Sequence, residues 1–213
     1  MRTVSIGGDV TGSFVIAGNG NVVNLGGGAA QAAEAKPPVL RVLVVIASPI
    51  ADASGEAGPS HAPLNVWREW DQLRSALPSD ARWEIVRLLP PTAERLDDVL
   101  SEAASEGRPF ALLHFVGHGG PSGLIVEDEL GRERLLSREA LAELLEGQGV
   151  RLLLLNACET RPLAEALVQA GAVEAAVATD EPIADQAAIT FAKRFYERLA
   201  AGDAVERALR KAR

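Results

Sequence analysis

Cysteine is almost missing from this chain: its 213 residues contain only Cys158, which excludes an internal disulfide and any metal site built from several thiolates. Lysine is scarce as well. Only Lys36, Lys193 and Lys211 occur, the other basic side chains are arginines, and 29 acidic against 21 basic residues give a formal charge of -8. Binding nucleic acid over a broad surface needs clustered cations that displace counterions, and a net acidic chain does not provide them. No run approaches the roughly 18 apolar residues of a membrane span. Met1-Arg2-Thr3 lead into glycine-rich sequence instead of the apolar core of a secretory leader, so the expected compartment is the cytoplasm. What is present is ordinary globular usage, 47% hydrophobic and 23% charged, which suits one main domain with a small appendage.

Residues 1–28 read MRTVSIGGDVTGSFVIAGNGNVVNLGGG, short Val, Ile and Phe pieces punctuated by Gly, Asn, Asp and Ser that suit positive-φ turns. This predicts a small β segment. Residues 29–39 form a linker, in which Pro37-Pro38 favour an extended chain. From 40 to 213 strand-like and helix-like pieces alternate, the pattern of a mostly parallel sheet with helices on both faces. Strands are expected at 40–48, 83–90, 110–117, 150–157 and 173–179. Helices are expected at 64–77, ended by Pro78; from Thr92 to about 106; after Ser137; at 162–171; and from Asp185 onward. GLIVEDELGRERLLS (123–137) reads as a hairpin turning near Leu130-Gly131. Asp203 and Glu206 have capping-box spacing for a last helix that stops abruptly at Arg213, the ending of a shortened or cleaved chain.

In open α/β sheets, functional groups gather beyond the carboxyl ends of the strands, where loops leave the core together. Two ends carry chemistry: 110–117 runs into Gly117-His118-Gly119-Gly120, and 150–157 into Ala157-Cys158-Glu159-Thr160. Were these strands neighbours, roughly 5 Å of sheet spacing would bring an imidazole and a thiol into one cleft. A thiol of ordinary pKa is only slightly ionised at neutral pH, so a nucleophilic cysteine gains from such a base. GHGGPSG lacks the Walker lysine and the GxGxxG fingerprint that a phosphate loop would carry. His114 lies within an apolar strand and reads as structural, and His61 has no partner motif. Glu127, Asp128 and Glu129 read as a solvated hairpin face, because adjacent strand residues point to opposite sides. No metal or cofactor is expected.

HFVGHGG and LLLLNACET, in that order and with this intervening hairpin and helix, resemble the signature segments of CHAT-domain cysteine peptidases, relatives of caspases and separases. The similarity runs over roughly 40–213 and implies a caspase-like fold and an endopeptidase acting on protein substrates in bacterial defence or regulated cell death. It implies a His118–Cys158 dyad, with an oxyanion site formed by the N–H groups of Gly119 and Cys158. Relatives carry Trp-Pro-Val-x-Asp after the strand that corresponds to 173–179; here the stretch is Glu181-Pro182-Ile183-Ala184-Asp185. Carboxylates of Asp180, Glu181 and Asp185 would suit a substrate arginine or lysine, although Asp185 equally suits a helix cap. Residues 10–24 are similar to amyloid-signalling motifs, with Val10, Phe14, Ile16, Val22 and Val23 on a dry face and Asn19, Asn21 and Asn24 as ladders. That would allow self-association through 1–28; a simple tail is the other reading. A non-catalytic adaptor built on the same fold is the alternative to the peptidase.

Overall fold

The computed structural model describes residues 14–18, 40–76, 83–180 and 185–212. The linker at 29–39, most of the amino-terminal segment, the Leu77-Pro78 helix stop and Glu181 lie outside the described residues. Five strands form a parallel sheet: β2 (Leu40–Ile46), β3 (Trp83–Arg87), β4 (Leu112–Val116), β8 (Leu152–Asn156) and β9 (Ala175–Thr179). β1 (Phe14–Gly18) joins them antiparallel along the edge of β9, giving the order β1-β9-β8-β4-β2-β3. Two of the residues expected on a dry stacking face, Phe14 and Ile16, therefore sit in a strand that covers the open edge of this sheet.

Near-continuous apolar strands are what a sheet covered on both sides requires. Leu43, Val45 and Ala47 of the β2 region point to one face, together with Leu113 and Phe115. There they meet α2 (Ala93–Ser105), α3 (Arg138–Leu145) and α4 (Arg161–Gln169). Val42, Val44 and Ile46 point to the other face, against α1 (Val66–Ala76), α5 (Asp185–Ala200) and α6 (Val205–Ala212). Thr92 and Ser137 cap their helices as the sequence predicts, accepting hydrogen bonds from Arg95 N and Ala140 N. The Asp203 carboxylate, just ahead of α6, gathers Arg198, Arg207 and Lys211. Among the described residues, no helix is long and apolar enough to cross a membrane.

The second sheet contains one strand that the sequence pattern does not announce. β6 (Gly123–Glu127) and β7 (Glu133–Ser137) are the expected hairpin, turning at Asp128–Arg132 with Gly131 at φ 74°. In front of them His118–Gly120 forms β5, antiparallel to β6. GHGG is thus the first strand of a three-stranded sheet rather than a free loop at a strand end. Three glycine-rich residues give no alternation from which a strand can be read, and the pairing comes from the neighbouring β6.

Candidate active site

β4 and β8 are hydrogen-bonded neighbours in register, with Val116 opposite Asn156. His118 and Cys158 each lie two residues beyond that pair, at adjacent strand ends, and Gly117 N donates to Asn156 O at 3.2 Å to carry the contact past the sheet. The two segments also touch farther out. A Cβ built on Gly119 would come within 3.2 Å of Thr160 Cγ2 and 3.1 Å of Gly123 O, so a side chain there would have to push β5 away from the turn that carries Cys158.

His118 is held by the loop 49–63. Its Nε2 lies 2.8 Å from Ala62 O. A carbonyl oxygen carries no hydrogen, so Nε2 is the protonated nitrogen and the neutral ring keeps its lone pair on Nδ1. The ring of His61 stacks on that of His118, with centroids 4.6 Å apart and planes 23° apart. His61 Nδ1 in turn reaches Glu133 Oε1 at 3.0 Å. Burial opposes ionisation of Glu133, but hydrogen bonds from His61 and Ser60 outweigh it and hold the carboxyl below its ordinary value.

Cys158 is free and half-buried. No hydrogen bond among the described residues joins its thiol to the His118 ring, whose Nε2 is taken by Ala62. The peptide bond before it is fixed: Ala157 O accepts Thr179 Oγ1 at 2.6 Å and Thr160 Oγ1 at 2.9 Å, and both threonines are fully buried. A peptide is planar and trans, so fixing the Ala157 carbonyl directs the Cys158 N–H the opposite way. Glu159 follows at φ 53°, a left-handed conformation that non-glycine residues rarely adopt and that functional turns often contain. α4 begins at Arg161, with Pro162 in its first turn, so its amino terminus starts just past the cysteine.

The two-residue turn Pro121-Ser122 closes β5 onto β6 at the pair Gly120 and Gly123. Hydrogen-bonded and non-hydrogen-bonded pairs alternate in such a ladder, which makes Gly119 opposite Leu124 the second kind and turns the Gly119 N–H away from β6.

The remaining candidates behave differently. Asp180 lies just past β9 and is bound by Arg161 Nη1 at 3.2 and 3.3 Å, so its carboxylate already has a cationic partner. Asp185 opens α5. His114 is buried on β4, where its Nδ1 meets Tyr196 OH at 2.8 Å and burial pushes the imidazole down to about 3. Glu127 is not simply solvated: its Oε1 accepts Ser48 N at 2.8 Å, while Asp128 binds the N–H groups of Leu130 and Arg132 in its own turn.

Ala62, His61, Glu133, Thr160 and Thr179 are the groups that sequence reasoning missed. Ala62 acts through a backbone carbonyl, and no side-chain pattern can announce that. The hairpin register did contain a hint of Glu133, since it sets Glu127 and Glu133 opposite each other.

A family model described as the CHAT domain matches residues 27–213. No curated protein matches the chain. Among solved structures, an ADP complex of Bacillus subtilis pyridoxal kinase aligns at 13% identity and a TM-score of 0.38, covering 82% of this chain and 89% of that one. So distant a likeness carries no argument about this site.

Proposed function

The chain belongs to the CHAT-domain family, which is associated with caspase-like cysteine peptidases, and from that premise we propose a cysteine endopeptidase in which His118 and Cys158 form the catalytic dyad. The observation that carries this reading is their matched position, each two residues past the Val116 and Asn156 pair on adjacent strands. The tautomer supports it too: with Nε2–H given to Ala62, Nδ1 is the nitrogen left to take the thiol proton.

In the first half-reaction Nδ1 takes the proton from Cys158, and the sulfur attacks the scissile carbonyl carbon. The negative charge that develops on the carbonyl oxygen is met by the N–H groups of Cys158 and Gly119, one directed by the Ala157 carbonyl and the other turned away from β6. As the tetrahedral adduct collapses, the C–N bond breaks and the His118 imidazolium protonates the departing amine. Water then gives a proton to Nδ1 and its OH to the acyl carbon, the C–S bond breaks as the imidazolium returns that proton to the sulfur, and the carboxylic acid leaves with the thiol and the neutral imidazole restored.

For specificity, the reading keeps a basic residue on the amino side of the cut. Glu181 and Asp185 would be its main partners, because Asp180 is shared with Arg161. The proposed setting is the cytoplasm, with a part in bacterial defence or regulated cell death; the family resemblance supports that part, while Phe14–Gly18 of the amino-terminal segment is already paired with β9. The test is a positional-scanning peptide library with wild type and Cys158→Ala, alongside labelling by an electrophilic probe. Cleavage and labelling that vanish together in Cys158→Ala are expected. An unlabelled Cys158 beside a reactive control thiol would instead favour a non-catalytic adaptor.

A further inference from the structure

We propose that Glu133 is a positioning residue of this site, strapping the segment Ser60-His61-Ala62 and so fixing both groups that orient His118. The proposal rests on reading His118 as the general base. Its structural half, the orientation of the ring, can be tested without any catalysis.

The loop 49–63 contains Pro49, Pro59 and Pro63 with Gly55 and Gly58, and it forms no helix or strand. Yet it must present Ala62 O to Nε2 at 2.8 Å and lay the His61 ring flat on His118. Such a segment holds a geometry this well only where something outside it supplies ties. One carboxylate oxygen supplies them. Glu133 Oε1 accepts Ser60 N at 2.7 Å, His61 N at 3.2 Å and His61 Nδ1 at 3.0 Å. Glu133 is rigidly based in turn, as the first residue of β7, with its own N–H donating to Ala51 O at 2.9 Å.

The hairpin register adds a second reason. Glu127 and Glu133 face each other across β6 and β7, where like charges oppose pairing. Each carboxylate is given backbone donors at one end of this loop: Ser48 N, just before it, goes to Glu127, and Ser60 N and His61 N near its end go to Glu133. The repulsion between the two glutamates is thus offset by the N–H groups they hold, and the hairpin grips the loop at both ends. Catalysis in turn needs the imidazole held in one plane and one tautomer, since a displacement on the order of 1 Å can cost about a hundredfold in rate.

The experiment compares wild type, Glu133→Ala and Glu133→Gln in the full chain. Glutamine keeps an oxygen acceptor in the same place. With ¹⁵N-labelled histidine, the His118 ring of wild type should show the Nε2–H tautomer, Glu133→Ala should show mixed tautomers, and Glu133→Gln should resemble wild type. In peptide hydrolysis, Glu133→Ala should lower kcat about tenfold to a hundredfold with KM within about twofold, and Glu133→Gln should recover most of it. An unchanged His118 tautomer in Glu133→Ala overturns the proposal. So does a Glu133→Gln protein as impaired as Glu133→Ala, or a loss confined to KM. If no variant hydrolyses peptide, wild type included, the peptidase reading fails while the tautomer result still decides the strap.

Discussion

Replacing both threonines that hold the Ala157 carbonyl should cost far more than the two single replacements together. Ala157 is only 2% exposed, and its oxygen takes Thr179 Oγ1 at 2.6 Å and Thr160 Oγ1 at 2.9 Å. Valine matches threonine in shape, so Thr160→Val keeps the methyl that lies against Gly119. Either single change removes one hydrogen bond, a net loss of about 1 kcal/mol, but leaves the carbonyl satisfied by the other hydroxyl. The double change strands a buried carbonyl and adds a desolvation penalty of about 1–3 kcal/mol, which appears as coupling between the sites. Urea denaturation of the four proteins measures this directly. Each single variant should also melt about 2–4 °C lower, as expected for a domain of this size. The turn carries Cys158, so the double variant should label more slowly with an electrophile than either single one. Strictly additive losses would refute the shared-acceptor argument, as would a single variant as unstable as the double.

Two other outcomes follow from charges in and near the sheet. The folded state depresses His114 to about 3 from its usual 6.5, so the unfolded chain takes up this proton first as pH falls. The contribution is complete above pH 6.5 and is lost below it at about 1.4 kcal/mol per unit, or about 2 kcal/mol by pH 5. Denaturant midpoints at pH 7 and 5 should therefore differ more in wild type than in His114→Met, and equal differences would contradict this. Arg161→Gln should release Asp180 from its cation and raise the preference for arginine over glutamine before the cut by severalfold. An unchanged ratio in the peptide library would remove Asp180 from the pocket.

Most strands and helices were legible because they are periodic. LLLLN at β8 and AAVAT at β9 are apolar at every position up to their last polar residue, as strands buried on both faces must be, and the Thr92 and Ser137 caps mark where helices start. β5 was not legible, since His118-Gly119-Gly120 takes its strand form from β6 and has no pattern of its own. Nor was the destination of Phe14–Gly18: a short apolar piece between glycines reads the same whether it pairs with another copy or with β9.

Sequence by itself determined the fold class, the family resemblance and the two residues that anchor the candidate site, because strand-end position and residue chemistry are both local properties. Tertiary structure decided how His118 is held. The Ala62 carbonyl and the His61 ring meet it from one loop, and the Glu133 carboxylate ties that loop down from a hairpin far along the chain. Backbone carbonyls and loop residues carry no side-chain signature, and their partners are chosen by packing, which exists only once the sheet has brought those segments together.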